Sequence, residues 1–203
     1  MARTSYHHGD LRNSLVEAAI ALMVKHGVAH LSLREVAKAA GVSSAAPYRH
    51  FKDKTALMEA IAAVGYQKIS HANVQAVIQF PDDPAAQLRA AGLAYLHFAA
   101  ENPEIVTLMF GGAVSLDDCG ETLGREAQEA FDSLAGIVEN GQTSGVFRKA
   151  DIHNCTVTSF AIVHGLAMMF AWGPLQHQRG DTCRVDELGQ LAADMLLEGM
   201  LDN

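Results

Sequence analysis

The chain is poor in the residues that would mark an enzyme or a secreted scaffold. Three cysteines, Cys119, Cys155 and Cys183, stand far apart and are odd in number. They make neither a disulfide framework nor a metal-ligand spacing, and a redox-sensing thiol is the alternative left open. Only five prolines accompany 49% apolar residues, a balance that argues against disorder. No apolar run follows a basic segment near the N-terminus, so nothing reads as a secretory signal and a cytoplasmic location is expected. There is no Gly-rich phosphate loop, no nucleophile-elbow pattern and no clustered His/Asp/Glu set. The expectation is therefore a protein that is not an enzyme and holds no cofactor or metal. No convincing period-2 stretch is present either, which leaves an all-α fold.

Charge is unevenly placed. The net charge is −8, which alone counts against a nucleic-acid partner. Residues 1–54 nevertheless carry a net +4 and residues 55–203 a net −12. A basic module that meets an anion, carried on an acidic body that avoids one, accounts for this; so does a chance excess of solvated lysines.

Helical punctuation is clearest in the basic part. Leu11, Leu15, Ala18 and Leu22 repeat at helical spacing between Asp10, a candidate N-cap, and Gly27, a candidate C′ residue. Ser32 and Glu35 form a capping box, with Leu31 and Val36 as its hydrophobic staple, and predict a helix over 33–40. Gly41 ends it, Val42 plugs the core, and Ser43 caps a third helix that is over by about Phe51. Helix, glycine turn, short helix is helix-turn-helix spacing. The second helix of such a motif enters the major groove by its N-terminal residues, a role that suits Ser44, Ala45 and Ala46. Lys54 falls in the first turn of the next helix, just after the cap candidate Asp53. A positive charge there opposes the helix dipole, and a bound phosphate would remove the conflict.

The segments "HHGDLRNSLVEAA", "LSLREVAKAAGVS" and "YRHFKDKTALMEA", between Tyr6 and about Ala60, resemble the N-terminal DNA-binding domain of the TetR (tetracycline repressor-like) transcriptional regulators. The resemblance implies that Arg34, Ser43, Ser44, Ala45 and Ala46 face the bases or the groove, and that Tyr48, His50 and Lys54 meet phosphates. Pro47 departs from the usual residue and deletes an N–H early in the recognition helix, so that helix is expected to start distorted. The implied architecture is all-α with about nine helices. A three-helix helix-turn-helix DNA-binding domain spans 1–54, and a helical ligand-binding and dimerisation domain spans 55–203.

Beyond residue 54 the pattern is helical but less specific. A helix from Thr55 to about Val77 breaks at "FPDDP", residues 80–84. Pro103 opens a short helix before Gly111 and Gly112, Leu123 to Val138 make another stripe, Asp151 caps a helix over 152–172, and Leu188 to Leu196 define the last. From Cys155 through Gln178 there is no Lys, Arg, Asp or Glu. That run reads as a helix buried in the core or by a partner subunit rather than a membrane span, because Thr156, Thr158, Ser159, His164, Gly165, Gly173 and Pro174 interrupt it. "NPEIVTLMFGG" and "FAIVHGLA" also resemble the subclass whose C-terminal domain carries a Trp-His-Gly signature, here with Phe160 in the tryptophan position.

Phe160, His164, Met168 and Trp172 follow one another at i+4 steps. With Tyr95, Phe98, Met109 and Phe131 they are the candidate lining of a mostly apolar effector cavity; a solid core of the same residues is the alternative. Ala161, Gly165 and Met169, with Leu188, Ala192 and Met195, are the candidate homodimer face. The functional expectation is a ligand-responsive regulator, a repressor released from its double-stranded DNA operator by a small, largely apolar effector. A protein of the same fold without a small-molecule inducer, acting through a protein partner or as a nucleoid-associated factor, is the alternative.

Overall fold

A computed structural model describes residues 8–201, and Tyr6 and His7, where the resemblance begins, lie outside that range. Eight α-helices follow in order: α1 His8–His26, α2 Leu33–Ala39, α3 Lys54–Gln79, α4 Pro84–Glu101, α5 Pro103–Phe110, α6 Glu121–Thr143, α7 Ile152–Ala171 and α8 Thr182–Met200. Three 3-10 turns join them, at Val28–His30, Pro47–Arg49 and Gln176–Gln178. Among the described residues there is no strand, only an isolated bridge between Phe147 and Leu201.

Local chemistry explains most boundaries. The Ser32 side chain accepts a hydrogen bond from the Glu35 N–H at 3.2 Å, and Leu31 and Val36 are buried beside it, as the staple requires. Gly41 then turns the chain at φ +67°, a conformation other residues adopt only with strain. Asp53 caps α3 through the Ala56 N–H at 2.8 Å, Asp83 caps α4 with Pro84 in the first turn, and Asp151 caps α7 through the Asn154 N–H at 2.8 Å. At the first helix the expectation fails: α1 begins at His8, so Asp10 lies inside the helix instead of capping it.

A larger correction concerns the third helix. No α-helix forms between Gly41 and Phe51; the segment is a turn followed by the 3-10 turn Pro47–Arg49. Pro47 has no N–H to return to Ser43, so the first i→i−4 bond of an α-helix cannot close there. The chain instead closes tighter i→i−3 bonds, from Ala46 N–H to the Ser43 carbonyl at 2.9 Å and from His50 N–H to the Pro47 carbonyl at 3.0 Å.

Two compact units are present: Met1–Gly65 with Glu104–Gly124, and Tyr66–Pro103 with Arg125–Asn203. The first is centred on Leu15, Ala19 and Met23 of α1, Val36 of α2, Phe51, and Leu57 and Ile61 of α3, all essentially inaccessible. Its reach past residue 54 has a local cause. Gly65 has no side chain, and Ile105 and Met109 of α5 occupy the space a Cβ would need. In the second unit α4 packs against α7 and α8, and Ala76, Leu88, Ala91, Ile137, Val138, Phe147, Leu197 and Met200 form one buried cluster.

Candidate nucleic-acid interface and effector site

The segment 43–54 is pinned from behind and open in front. Pro47 and Phe51, one helical turn apart, are buried, and the Arg12 guanidinium lies 5.3 Å from the centre of the Phe51 ring. Between and around these anchors Ser43, Ser44, Ala45, Tyr48 and Arg49 are exposed, and Ala46 and His50 are half-buried. Arg34 is exposed on α2. Thus the anchor spacing of a helix survives although the helix itself does not.

The electrostatics separate the two units. Every salt bridge among the described residues lies in the second one: Arg89 with Asp194, His97 with Asp186 at 2.6 Å, Arg125 with Glu126 and Glu129, and Arg184 with Glu187. Arg34, Lys38, Arg49 and Lys52 are exposed and make none. Their charge is left to solvent and counterions, the state in which a phosphate backbone gains most by displacing them.

Lys54 has a second occupation that its sequence position did not disclose. Its Nζ donates to the Val28 carbonyl at 2.8 Å and toward the Ala29 carbonyl at 3.4 Å. These carbonyls ease the conflict with the α3 dipole from inside the protein, and one of the three ammonium protons remains for another acceptor.

The eight expected effector residues do not form one group. Three do: the Tyr95 hydroxyl lies 2.7 Å from His164 Nδ1, Phe160 stacks on the His164 ring with centroids 5.0 Å apart, and Tyr95 meets Phe160 edge-on at 5.4 Å. Burial pushes the Tyr95 phenol above its ordinary range, with the neighbouring Tyr66 adding to the effect, and burial lowers the His164 imidazole. Both groups are therefore neutral near pH 7. The phenol and Nδ1 share one hydrogen bond, whose direction follows the imidazole tautomer. Elsewhere Phe98 faces the Lys68 ammonium at 5.8 Å, and Phe131 faces His153 at 5.3 Å. Met168 is half-buried, Trp172 is 45% exposed, and Met109 belongs to the other unit.

A groove of about 430 Å³ opens between the start of α7 and the end of α8, lined by Arg148, Asn154, Cys155, Thr158, Ile162 and Met195 among others. None of the expected effector residues lines it, and of the expected dimer residues only Met195 does. On the dimer face Ala161 and Gly165 are exposed, Met169 and Met195 are 42% and 68% exposed, and Leu188 and Ala192 are half-buried. Ile162, Leu191 and Trp172 extend the exposed apolar surface and were not singled out for it by periodicity. α7 is long and apolar enough to cross a membrane, yet only a third of its most apolar window is buried.

Comparison with known proteins places these features. The family described as "Bacterial regulatory proteins, tetR family" matches residues 15–61, and "Tetracyclin repressor-like, C-terminal domain" matches residues 88–196. A solved structure of a protein with unknown function from Rhodococcus sp. RHA1 is 32% identical, superposes with a TM-score of 0.82 and covers 98% of this chain and 100% of that one. The HTH-type transcriptional regulator AcrR of Shigella flexneri is 38% identical over 90 residues, 44% of this chain and 42% of that protein. The chain thus spans less than half the length of that relative. The nucleoid occlusion factor SlmA of Marinobacter nauticus is 27% identical over 138 residues, 68% of this chain and 69% of that protein.

Proposed function

The chain belongs to the tetracycline-repressor-like (TetR) family of bacterial regulatory proteins, and from that premise we propose that it is a cytoplasmic, homodimeric, ligand-responsive DNA-binding regulator. It represses from an operator and is released by a small, largely apolar effector. The observation that carries the reading is the segment 43–54, held by buried Pro47 and Phe51 with its small and polar residues outward and with exposed, unpaired cations around it. Arg34, Ser43, Ser44, Ala45 and Ala46 read the groove, and Tyr48, His50 and Lys54 meet phosphate. Pairing through the exposed apolar faces of α7 and α8 brings two such segments to half-sites roughly 34–36 Å apart.

The effector acts at Tyr95, Phe160 and His164, a neutral aromatic cluster with a polar handle on an otherwise apolar wall. α3 is one continuous helix from Lys54 to Gln79 that contributes to both units, and it is the element that carries the response. A coupling of about 1–3 kcal/mol would change operator affinity by roughly 5- to 150-fold. Selection of bound genomic fragments by the purified protein tests the DNA reading; recovery of no common sequence would overturn it. Effector affinity measured with and without operator tests the release, since linkage makes the two factors equal. Identical affinity in both conditions would favour the second reading, a DNA-binding factor governed by a protein partner, which the similarity to SlmA supports.

A further inference from the structure

Four exposed residues of α7 and the residue that caps it are spaced symmetrically, with Val157 and Ile162 exposed beside them. Thr158, Ala161, Gly165, Met169 and Trp172 are all exposed. Thr158 and Trp172 each lie seven residues from Gly165, and Ala161 and Met169 each lie four. Spacings of three to four and seven residues keep the four α7 positions on one seam of the helix, and the Trp172 N–H, bonded to the Met168 carbonyl at 3.0 Å, holds the cap residue at the end of that seam. A Cβ added at Gly165 would meet nothing within 4 Å, so the middle of the seam is bare backbone facing outward. Two copies of this helix crossing antiparallel at Gly165 would set Met169 over Ala161 and Trp172 over Thr158, twice each, as a two-fold contact requires.

At Thr158 lies the groove. Asn154, Cys155, Thr158 and Ile162 form its α7 wall, Met195 and Leu196 stand on the opposite wall, and Arg148 and Asp151 line it as well. Arg148 makes no salt bridge among the described residues. Apolar side chains on both walls, beside a guanidinium and the polar Asn154 and Asp151, suit an indole, whose ring face attracts a cation and whose N–H needs a polar acceptor. At the other end of the seam Trp172 is a large aromatic residue left 45% exposed.

We propose that the groove between α7 and α8 is the receptor for Trp172 of the partner subunit, so that two copies of the chain lock by exchanging one indole in each direction. This rests on the homodimer reading above and adds to it the anchor and the antiparallel register. Truncating such an anchor is expected to weaken dimerisation roughly 30-fold.

Trp172 is the chain's single tryptophan, so intrinsic fluorescence reports its surroundings alone. Thr158 lies about 21 Å from Trp172 along its own helix, at 1.5 Å per residue, and a change at 158 reaches the indole only across the dimer. The experiment combines sedimentation of the wild type, oxidation of Gly165→Cys, and iodide quenching of Trp172 in the cross-linked dimer with and without Thr158→Arg. Met195→Glu repeats the readout from the other wall. The expected result is a wild-type dimer with a shielded tryptophan, a ready disulfide at position 165, and loss of the shielding in both groove variants. A wild-type monomer at micromolar concentration would overturn the homodimer and the anchor together. A dimer whose tryptophan is freely quenched, or whose shielding ignores both groove variants, would overturn the anchor and leave the homodimer standing. Failure of Gly165→Cys to cross-link an otherwise dimeric protein would overturn the antiparallel register.

Discussion

The salt bridges among the described residues all fall in one of the two compact units. In the first, Arg34, Lys38, Arg49 and Lys52 are exposed with no carboxylate at salt-bridge distance; in the second, Arg89, Arg125 and Arg184 are paired, although Arg148 is not. The unpaired cations of the first unit surround the segment proposed to meet DNA, while the paired ones of the second join or brace helices of an acidic body. The same contrast holds for anchoring: the segment 43–51 hangs on Pro47 and Phe51, whereas α4, α7 and α8 share an extended core.

The sharpest way to break the contrast is to remove an anchor. Phe51 is 2% exposed and carries the Arg12 guanidinium on its ring. Phe51→Ala is expected to cost about 3–5 kcal/mol of stability and to abolish operator binding. Thermal denaturation and a gel-shift titration check this. Retention of DNA binding would mean that the segment holds its shape without its buried anchors.

Next in size is an exchange of arginines between the units. Arg34→Ala should leave stability nearly unchanged and cost about 1–3 kcal/mol of operator affinity with relaxed base preference. Arg89→Ala should do neither, costing at most about 1 kcal/mol of stability, because both partners of its ion pair are well exposed. Equal effects on DNA binding would erase the distinction drawn above.

What could be read in advance divides along the same line. Helix α2 and the turn after it were legible because their signals are local: a cap residue and the N–H it satisfies, a glycine at positive φ, a staple pair five residues apart. Pro47 was legible as a disturbance, but not its outcome, since whether a helix survives depends on the buried contacts that hold Pro47 and Phe51. The effector residues were legible only in part. Phe160 and His164 stay on one face because both lie inside α7. Trp172 does not continue the series, because it is the residue after the helix ends, with φ −140° and ψ −5°. Helical spacing places the backbone of a cap residue but not its side chain, and the groove at the end of α8 is a product of packing that no single stretch encodes.

A smaller effect tests the buried polar pair of the second unit. Tyr95→Phe removes the hydroxyl that pairs with His164 Nδ1 and should cost about 1 kcal/mol or somewhat more. The pH dependence has a definite sign. Burial lowers the folded-state pKa of His164 below its unfolded value of 6.5, so below that pH the unfolded chain binds more protons and stability falls as pH drops. His164→Phe, which has no proton to bind, should show a shallower loss of melting temperature between pH 8 and pH 5.5. A wild-type melting temperature that is flat over this range would show that His164 is not held neutral by the fold.

The finest distinction concerns Lys54, where the two kinds of charge meet in one side chain. Its ammonium ties the Val28 and Ala29 carbonyls to the start of α3, as cations do in the second unit, and it is also the proposed phosphate contact, as cations are in the first. Alanine would remove both roles and separate neither. Glutamine keeps an N–H donor for the carbonyls and gives up the charge. If the phosphate role holds, Lys54→Gln should retain the melting temperature within about one hydrogen bond's worth, roughly 1 kcal/mol, while log affinity for DNA falls less steeply with log salt, by roughly 0.9 per subunit. The loss should be nearly equal for all sequences, unlike that of Arg34→Ala. An unchanged salt slope with lowered stability would make Lys54 a structural tie alone, and the phosphate clamp at the start of α3 would then rest on Tyr48 and His50.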